Sequence, residues 1–169
     1  MDSKVVVSAF QDDSLSSDDA IVIAEKIKTG ELDAKTVTRD AIRRAELVNP
    51  KLNAITEENF DFALANSEKT FSGIFQGVPT FIKDTDEVPG LPLYLGSRSL
   101  PGEPSEKFSK AAKQIIDTGL NCLGTTTTPE FGLTGTTESL RFGATCNPWN
   151  PAFSTGGSSV GSSALVAAG

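Results

Sequence analysis

The sequence predicts an α/β protein in which amphipathic helices alternate with short buried strands. In the first half of the chain, apolar residues recur at helical spacing, as at Ala20, Ile23 and Ile27. The continuous apolar run 78–82 is instead typical of a buried strand. Clusters of glycine and proline separate these segments and mark turns. Helices and strands that alternate along one chain favour a sheet covered by helices.

Three helices are predicted in the first 70 residues, each with apolar residues on one face. Their expected bounds are from the N-cap residues 17–19 to Gly30, from near Asp33 to the residue before Asn49, and 57–69. Pro50 ends the second helix in this prediction, because proline disrupts a helix interior. Phe60, Phe62 and Leu64 form the apolar face of the third. We expect the charged residues of these helices to be exposed to solvent.

The second half of the chain is predicted to contain two strands and three helices, joined by loops. The strands are expected at 78–82 and at Cys122–Leu123, the helices at 108–118, 130–133 and 162–168, and a proline-rich irregular loop at 86–104. The length of 169 residues suits one core rather than two. We therefore expect one domain, with a helical region over 1–70 and a partial α/β core over 71–169.

Composition excludes several classes of function. The net charge of −7 argues against a nucleic-acid partner, and the absence of histidine removes Ser-His-Asp and Cys-His catalysis. Two cysteines, Cys122 and Cys146, are too few for a zinc site or a disulfide framework, so we expect reduced thiols in a cytoplasmic protein. Residues 1–7 lack the cationic region of a signal peptide, and no apolar stretch is long enough to cross a membrane.

Charge is scarce in residues 118–169, where Glu130, Glu138 and Arg141 are the charged side chains. The same segment holds nine of the 15 glycines and many serines and threonines. Apolar residues such as Phe131, Leu133 and Trp149 are interleaved with them, which is not typical of a flexible linker. The pattern indicates a buried, loop-rich region in which the backbone closely approaches a ligand or another backbone segment.

Lys83 follows the apolar run 78–82 directly and is a candidate general base. Burial at the end of a strand disfavours the charged form of lysine and lowers its pKa, which makes the neutral amine available. The alternative is a structural lysine that reaches solvent or pairs with Asp84. Adjacent side chains of a strand point to opposite faces, which weakens the pairing with Asp84.

The segment 154–163, rich in glycine and serine, is the second candidate. It lacks the Lys-Ser/Thr of a phosphate-binding loop, and Gly157 and Gly161 do not fit a dinucleotide fingerprint. A flexible linker is the remaining structural alternative, but an apolar helix follows immediately. Without histidine, serine chemistry here requires a lysine base, and Ser-Lys pairs are a known arrangement.

Four motifs in order resemble the amidase signature family, and the resemblance runs from the first helices to Gly169. They are the residues 77–84 (GVPTFIKD), 129–131 (PEF), 142–150 (FGATCNPWN) and 156–159 (GGSS). The stretch 136–138 is similar to the branch that includes hydrolases of cyclic amide oligomers. The resemblance implies a central mixed, twisted sheet flanked by helices, of which residues 1–169 are the N-terminal part of a single amidase domain.

The resemblance also implies hydrolysis of carboxamide C–N bonds by a Ser–Ser–Lys triad without metal or organic cofactor. Lys83 would be the base, and Ser158, after a cis peptide bond, would relay protons and contact substrate. Gly132 would lie in the wall of the substrate pocket and widen it. The expected substrate is a small-molecule amide.

The sequence departs from the family pattern at several points. The family's nucleophilic serine and oxyanion hole lie about two dozen residues after the middle serine, so the resemblance implies a truncated chain that is inactive alone. Val160 replaces a usual glycine, and the threonines 125–128 replace a Lys-x-Asn element. Alternatives are a non-catalytic fragment or pseudoenzyme that binds a ligand or complementary chain, and part of an aminoacyl-tRNA amidotransferase subunit. A second copy or a complementary C-terminal half is the expected protein partner.

Overall fold

Within residues 6–169, which a computed structural model describes, the chain forms five α-helices, seven short strands and one turn of 3-10 helix. The helices are α1 (Ala20–Thr29), α2 (Ala34–Leu52), α3 (Phe60–Asn66), α4 (Lys110–Ile116) and α5 (Val160–Ala168). The strands are β1 (Ile55–Glu58), β2 (Pro79–Lys83), β3 (Asn121–Thr126), β4 (Glu138–Ser139), β5 (Gly143–Ala144), β6 (Cys146–Asn147) and β7 (Asn150–Ser154). The expectation about the N-terminus rests in part on residues 1–5, which lie outside the described residues.

A three-stranded mixed sheet in the order β1-β3-β2 forms the centre. β1 is antiparallel to β3, and β2 is parallel to it. All six residues of β3 are buried, as expected for the middle strand. The α/β class is therefore confirmed. β4 pairs with β5 and β6 with β7 in two small antiparallel pairs that the sequence did not predict.

The first helix begins and ends where its capping residues predict. The Asp19 side chain accepts hydrogen bonds from the backbone N–H groups of Ile21 and Val22. Gly30 ends α1 in the left-handed conformation, with φ of 78°. α5 likewise confirms the apolar helix predicted at 162–168, and its Ala164 and Ala168 are fully buried.

The second helix runs past the predicted stop at Asn49–Pro50 and ends at Leu52. Pro50 lies in the last turn of α2, where its missing N–H removes one hydrogen bond but does not end the helix. The continuation places the side chain of Leu52, which is fully buried, in the same core cluster as Val48. Asn53, with φ of 52°, then ends the helix.

The charged residue Arg44 of α2 is buried, so the expectation that all charged side chains of the helices face solvent was wrong. Its guanidinium is buried and pairs with Asp13, with Nε donating to Oδ2 at 2.9 Å. It also donates to the carbonyl oxygen of Gly169 at 3.0 Å. Arg44 thus ties α2 to the N-terminal segment and to the end of α5, over distances in sequence that no local pattern reveals.

The third helix is shorter than predicted, because residues Ile55–Glu58 form β1 and lie within the segment 1–70 expected to be helical. Phe60 and Leu64 pack against the buried cluster that contains Leu123, as their i, i+4 spacing predicts. Phe62 lies on the other side of the helix and is 59% exposed, so its place on the apolar face was wrong.

The helix predicted at 130–133 is a single 3-10 turn over Glu130–Gly132. Phe131 has a left-handed backbone, with φ of 52°, and its N–H donates to the carbonyl of Leu95 at 2.7 Å. The segment 86–104 is irregular, as predicted, apart from bridges at Pro89 and Pro92. In the part of the chain that the structure describes, no helix combines the length and the apolarity needed to span a bilayer.

Candidate active site

Lys83 is the last residue of β2, and its side chain reaches Ser158. Its Nζ donates a hydrogen bond to Ser158 Oγ at 2.7 Å. The strand ends here because the Lys83 carbonyl accepts from the N–H groups of Thr85 and Asp86, at 2.7 and 3.1 Å, in a tight turn. The structure therefore contains the predicted strand with a lysine at its end and the Ser158 hydroxyl beside the amine. The expected burial of the strand was wrong, because within β2 only Ile82 is buried and the other residues are half-buried.

Ser158 lies in the loop between β7 and α5. The peptide bond between Gly157 and Ser158 is cis, as the resemblance implied. A Cβ atom on Gly157 would lie 2.7 Å from the carbonyl oxygen of Thr134, so this backbone contact requires glycine. The Ser158 carbonyl accepts a hydrogen bond from the Thr128 hydroxyl at 3.1 Å. The loop thus contacts the chain at Thr128 and at Thr134.

Burial lowers the pKa of Lys83, and the nearby charge of Asp86 opposes that shift in part. Among residues 6–169, no carboxylate lies within 4.0 Å of the Lys83 amine. The alternative in which Lys83 pairs with Asp84 is therefore wrong. A lysine without an adjacent carboxylate more readily adopts its neutral form.

Asp84 points the other way and is fully buried. Its carboxylate accepts from the backbone N–H of Tyr94 at 2.9 Å and of Gly96 at 3.1 Å. Burial raises the pKa of Asp84 to about 6, although these N–H groups favour the charged form. Asp84 holds the loop after β2, and that loop contacts the turn that contains Gly132.

Gly132 lies close to the neighbours of both Lys83 and Ser158. A Cβ atom built on it would be 3.9 Å from Thr128 Oγ1 and 3.9 Å from Thr85 Cγ2. The space beside it is therefore open to a group somewhat larger than hydrogen. Among the residues that the structure describes, His, Cys, Asp and Glu side chains form no cluster of three that could hold a metal ion.

Sequence reasoning did not assign a site role to Thr128. The feature that could have indicated it is the run of four threonines, Thr125–Thr128, at the end of β3. β3 pairs with β2, and Thr126 lies opposite Lys83. Four consecutive hydroxyls in a buried segment require four hydrogen-bond partners. The partners themselves lie elsewhere in the sequence and become visible only in the fold.

Comparison with known proteins gives this geometry a family context. The model of the amidase family matches residues 36–169. AmiC of Mycobacterium tuberculosis, which bears the name of an amidase, is 40% identical over 168 residues, covering 96% of this chain and 35% of AmiC. The chain belongs to the amidase family. The recognition made from the four motifs is therefore confirmed.

Solved structures of amidases confirm the fold. The structure of 6-aminohexanoate cyclic dimer hydrolase complexed with substrate has a TM-score of 0.82 and 37% identity, covering 89% of this chain and 32% of that one. It belongs to the branch suggested by residues 136–138. A glutamyl-tRNA(Gln) amidotransferase subunit from Prochlorococcus marinus is 32% identical over 155 residues, covering 87% of this chain and 32% of its own length. The chain thus spans about a third of the length of these relatives.

Proposed function

We propose that the protein acts in the hydrolysis of carboxamide C–N bonds and that Lys83 and Ser158 carry the proton. The observation that supports this most directly is the 2.7 Å contact between Lys83 Nζ and Ser158 Oγ. At this distance a proton can pass directly between the two groups. The lowered pKa of Lys83 increases the fraction of neutral amine that can accept it.

In the proposed reaction, a nucleophilic serine hydroxyl gives its proton to Ser158 Oγ as it attacks the amide carbon. Ser158 passes its own proton to the neutral amine of Lys83. The resulting ammonium returns a proton through Ser158 to the leaving nitrogen, and the C–N bond breaks. Water then releases the acyl group by the same route. Lys83 is thus the base and then the acid.

The nucleophile and its oxyanion donors are proposed to come from polypeptide that corresponds to the part of the relatives beyond the match. Loss of one oxyanion donor alone lowers the rate by about 10²–10³. We therefore expect residues 1–169 alone not to hydrolyse amides. A complementary C-terminal segment is the proposed partner, and the free thiols Cys122 and Cys146 support a reducing compartment such as the cytoplasm.

Gly132 and Ser158 are proposed to contact a small-molecule amide. Ser158 would place its hydroxyl near the amide, and the open space at Gly132 would accept part of the substrate. Phe131 and Leu133, on either side of Gly132, are 45% and 82% exposed. An apolar group beside the amide would bury some of this surface, which favours aliphatic or aromatic amides over highly charged ones.

A second candidate is part of an amidotransferase, and the similarity to the Prochlorococcus protein favours it. In that case the same Lys83–Ser158 pair would release ammonia from an amide for transfer to an aminoacyl-tRNA. The net charge of −7 disfavours direct contact with tRNA, so a partner protein would hold the nucleic acid.

The test is a chimera in which residues 1–169 replace the matched part of AmiC. We expect ammonia release from simple aliphatic and aromatic amides, with kcat/KM rising with pH as Lys83 loses its proton. Lys83→Ala should lower kcat/KM by about 10²–10⁴, and Ser158→Ala should also lower it. Lys110→Ala, at an exposed lysine, is the matched control. A folded chimera whose activity survives Lys83→Ala contradicts the proposal, whereas ammonia transfer to an aminoacyl-tRNA would favour the second candidate.

A further inference from the structure

The four buried threonines at the end of β3 divide their hydroxyls between two faces. Side chains of an extended segment alternate, so residues 126 and 128 share one face and residues 125 and 127 the other. The hydroxyl partners follow this pattern, in the order Thr125 with Thr56, Thr126 with Ser162, Thr127 with Thr145, and Thr128 with the Ser158 carbonyl. The face of Thr126 and Thr128 therefore holds the serine-rich segment at the start of α5.

Thr128 follows β3, the strand that pairs with β2, and its side chain reaches the candidate site. Lys83 pairs with Thr126 in the register of β2 and β3, and Thr128 lies two residues further along the chain. Ser158 is consequently held at two points. Lys83 Nζ contacts its Oγ at 2.7 Å, and Thr128 Oγ1 donates to its carbonyl at 3.1 Å.

The loop around Ser158 needs such an anchor because two glycines, Gly156 and Gly157, precede it. Glycine permits many backbone conformations and does not by itself fix the direction of the next side chain. On the other side of Ser158, the N–H of Gly161 donates to the Thr127 carbonyl at 3.2 Å. Hydrogen bonds with the consecutive residues Thr127 and Thr128 therefore hold both ends of the segment 158–161.

We propose that Thr128 is a positioning residue, whose hydroxyl fixes Ser158 so that its Oγ faces Lys83 Nζ. This inference rests on the proposed function, in which that pair carries the proton. Thr128 is fully buried, so its hydroxyl has no competing bulk water and directs its proton to the Ser158 carbonyl. Removal of the hydroxyl leaves that carbonyl without this partner and frees the Ser158 side chain to turn away.

The experiment measures the Lys83 amine in the chain of 169 residues, independently of catalysis. Trace acetylation with acetic anhydride over a pH series, read by mass spectrometry at Lys83, gives the pH midpoint of its reactivity. A hydrogen bond from the ammonium to Ser158 Oγ favours the charged form, so loss of the bond lowers the midpoint. We expect Thr128→Val to lower it by about 0.5 pH units, equivalent to about threefold more neutral amine below the midpoint.

The comparison variants separate positioning from general destabilisation. Ser158→Ala should lower the midpoint at least as far as Thr128→Val, and Thr128→Ser should restore the value of the unsubstituted chain. Thr125→Val removes an equally buried hydroxyl from the same strand and should reduce the free energy of unfolding without moving the midpoint. If Thr128→Val does not fold, Thr128→Ala removes the same hydroxyl and takes its place.

Any other result of these measurements contradicts a specific part of the proposal. A midpoint that falls in Ser158→Ala but not in Thr128→Val overturns the role of Thr128 and leaves the Lys83–Ser158 pair intact. A midpoint that does not move in Ser158→Ala overturns the pair, and with it the proposed function. An equal shift in Thr125→Val would mean that any lost hydroxyl loosens the site, which also overturns the specific role of Thr128.

Discussion

At the scale of single residues, two adjacent charged side chains at the end of β2 have different environments. Lys83 is half-buried and reaches towards Ser158, whereas Asp84 is fully buried and binds the N–H groups of Tyr94 and Gly96. The alternation of a strand separates the two side chains. One side of the strand end therefore presents the proposed base, and the other side fixes the loop that contacts the turn at Gly132, the proposed wall of the substrate pocket.

Asp84 should make stability depend on pH in a characteristic direction. Its pKa is about 6 in the folded chain and 3.8 as a free side chain, so the folded state binds more protons between these values. The free energy of unfolding contributed by Asp84 therefore falls as pH rises through this window. Relative to Asp84→Asn, the unsubstituted chain should lose about 2 kcal/mol between pH 4.5 and 7.5.

Urea unfolding of both proteins at the two pH values measures this difference. Other ionisable groups are common to both chains and cancel in the comparison. Asp86→Asn, at a half-buried carboxylate two residues away, is the control for removal of a carboxylate near the end of β2. A constant difference between Asp84→Asn and the unsubstituted chain at both pH values would show that the pKa of Asp84 is not raised.

Lys83 could be predicted from a local signal, because it follows an apolar strand directly. The local pattern indicated only the glycine- and serine-rich segment 154–163, and the family resemblance singled out Ser158 within it. The partners of Asp84 could not be predicted in the same way. Tyr94 and Gly96 lie beyond the turn after β2, inside a proline-rich loop whose path no periodic pattern describes.

At the scale of elements, the predictable segments are those with an apolar periodicity or an apolar run long enough to recognise. α1 has the periodicity, β2 and α5 have apolar runs, and all three were predicted close to their observed bounds. The two-residue strands β4, β5 and β6 are too short to show any alternation, and β1 contains two glutamates. These strands form because other segments of the same chain pair with them. That pairing depends on the tertiary fold and is not visible in the local sequence.

The contact between α5 and β3 depends on a glycine in the first turn of the helix. A Cβ atom on Gly161 would overlap the Ala54 carbonyl oxygen and lie 2.6 Å from the Thr127 backbone nitrogen. Gly161→Ala should therefore push α5 away from the sheet and lower the free energy of unfolding by about 3 kcal/mol. Without this contact, the substitution would stabilise a helix by about 0.5–1 kcal/mol.

Gly135→Ala is the matched control, because a Cβ atom there meets no atom within 4 Å. Its effect should stay within about 0.5 kcal/mol. Urea unfolding at one pH measures both variants. If Gly161→Ala is as stable as the unsubstituted chain, α5 does not pack as closely on the sheet as the structure shows.

At the scale of the whole molecule, the outer edge of β2 and an apolar face of α5 at Val166 are open among residues 6–169. Within residues 6–169, β2 pairs with β3 on one side and with no strand on the other. A cavity of about 260 Å³ lies between α2, α5 and the sheet, and Phe81, Leu165 and Val166 contribute to its lining. Open edges and apolar surfaces favour association with further polypeptide.

The chain of 169 residues should therefore self-associate through this face in the absence of a complementary segment. Val166 is 80% exposed on α5 beside the cavity, so Val166→Lys should place a charge in the contact and shift the population towards monomer. Ile21→Lys is the control, because Ile21 is 69% exposed on α1 and does not line the cavity.

Sedimentation velocity over a concentration series measures the mass distribution of the three proteins. A monomer at every concentration in the unsubstituted chain would contradict association, and equal dissociation by both substitutions would show that the contact is non-specific. Loss of association in Val166→Lys alone would instead identify the exposed face of α5 at Val166 as the contact between copies of the chain.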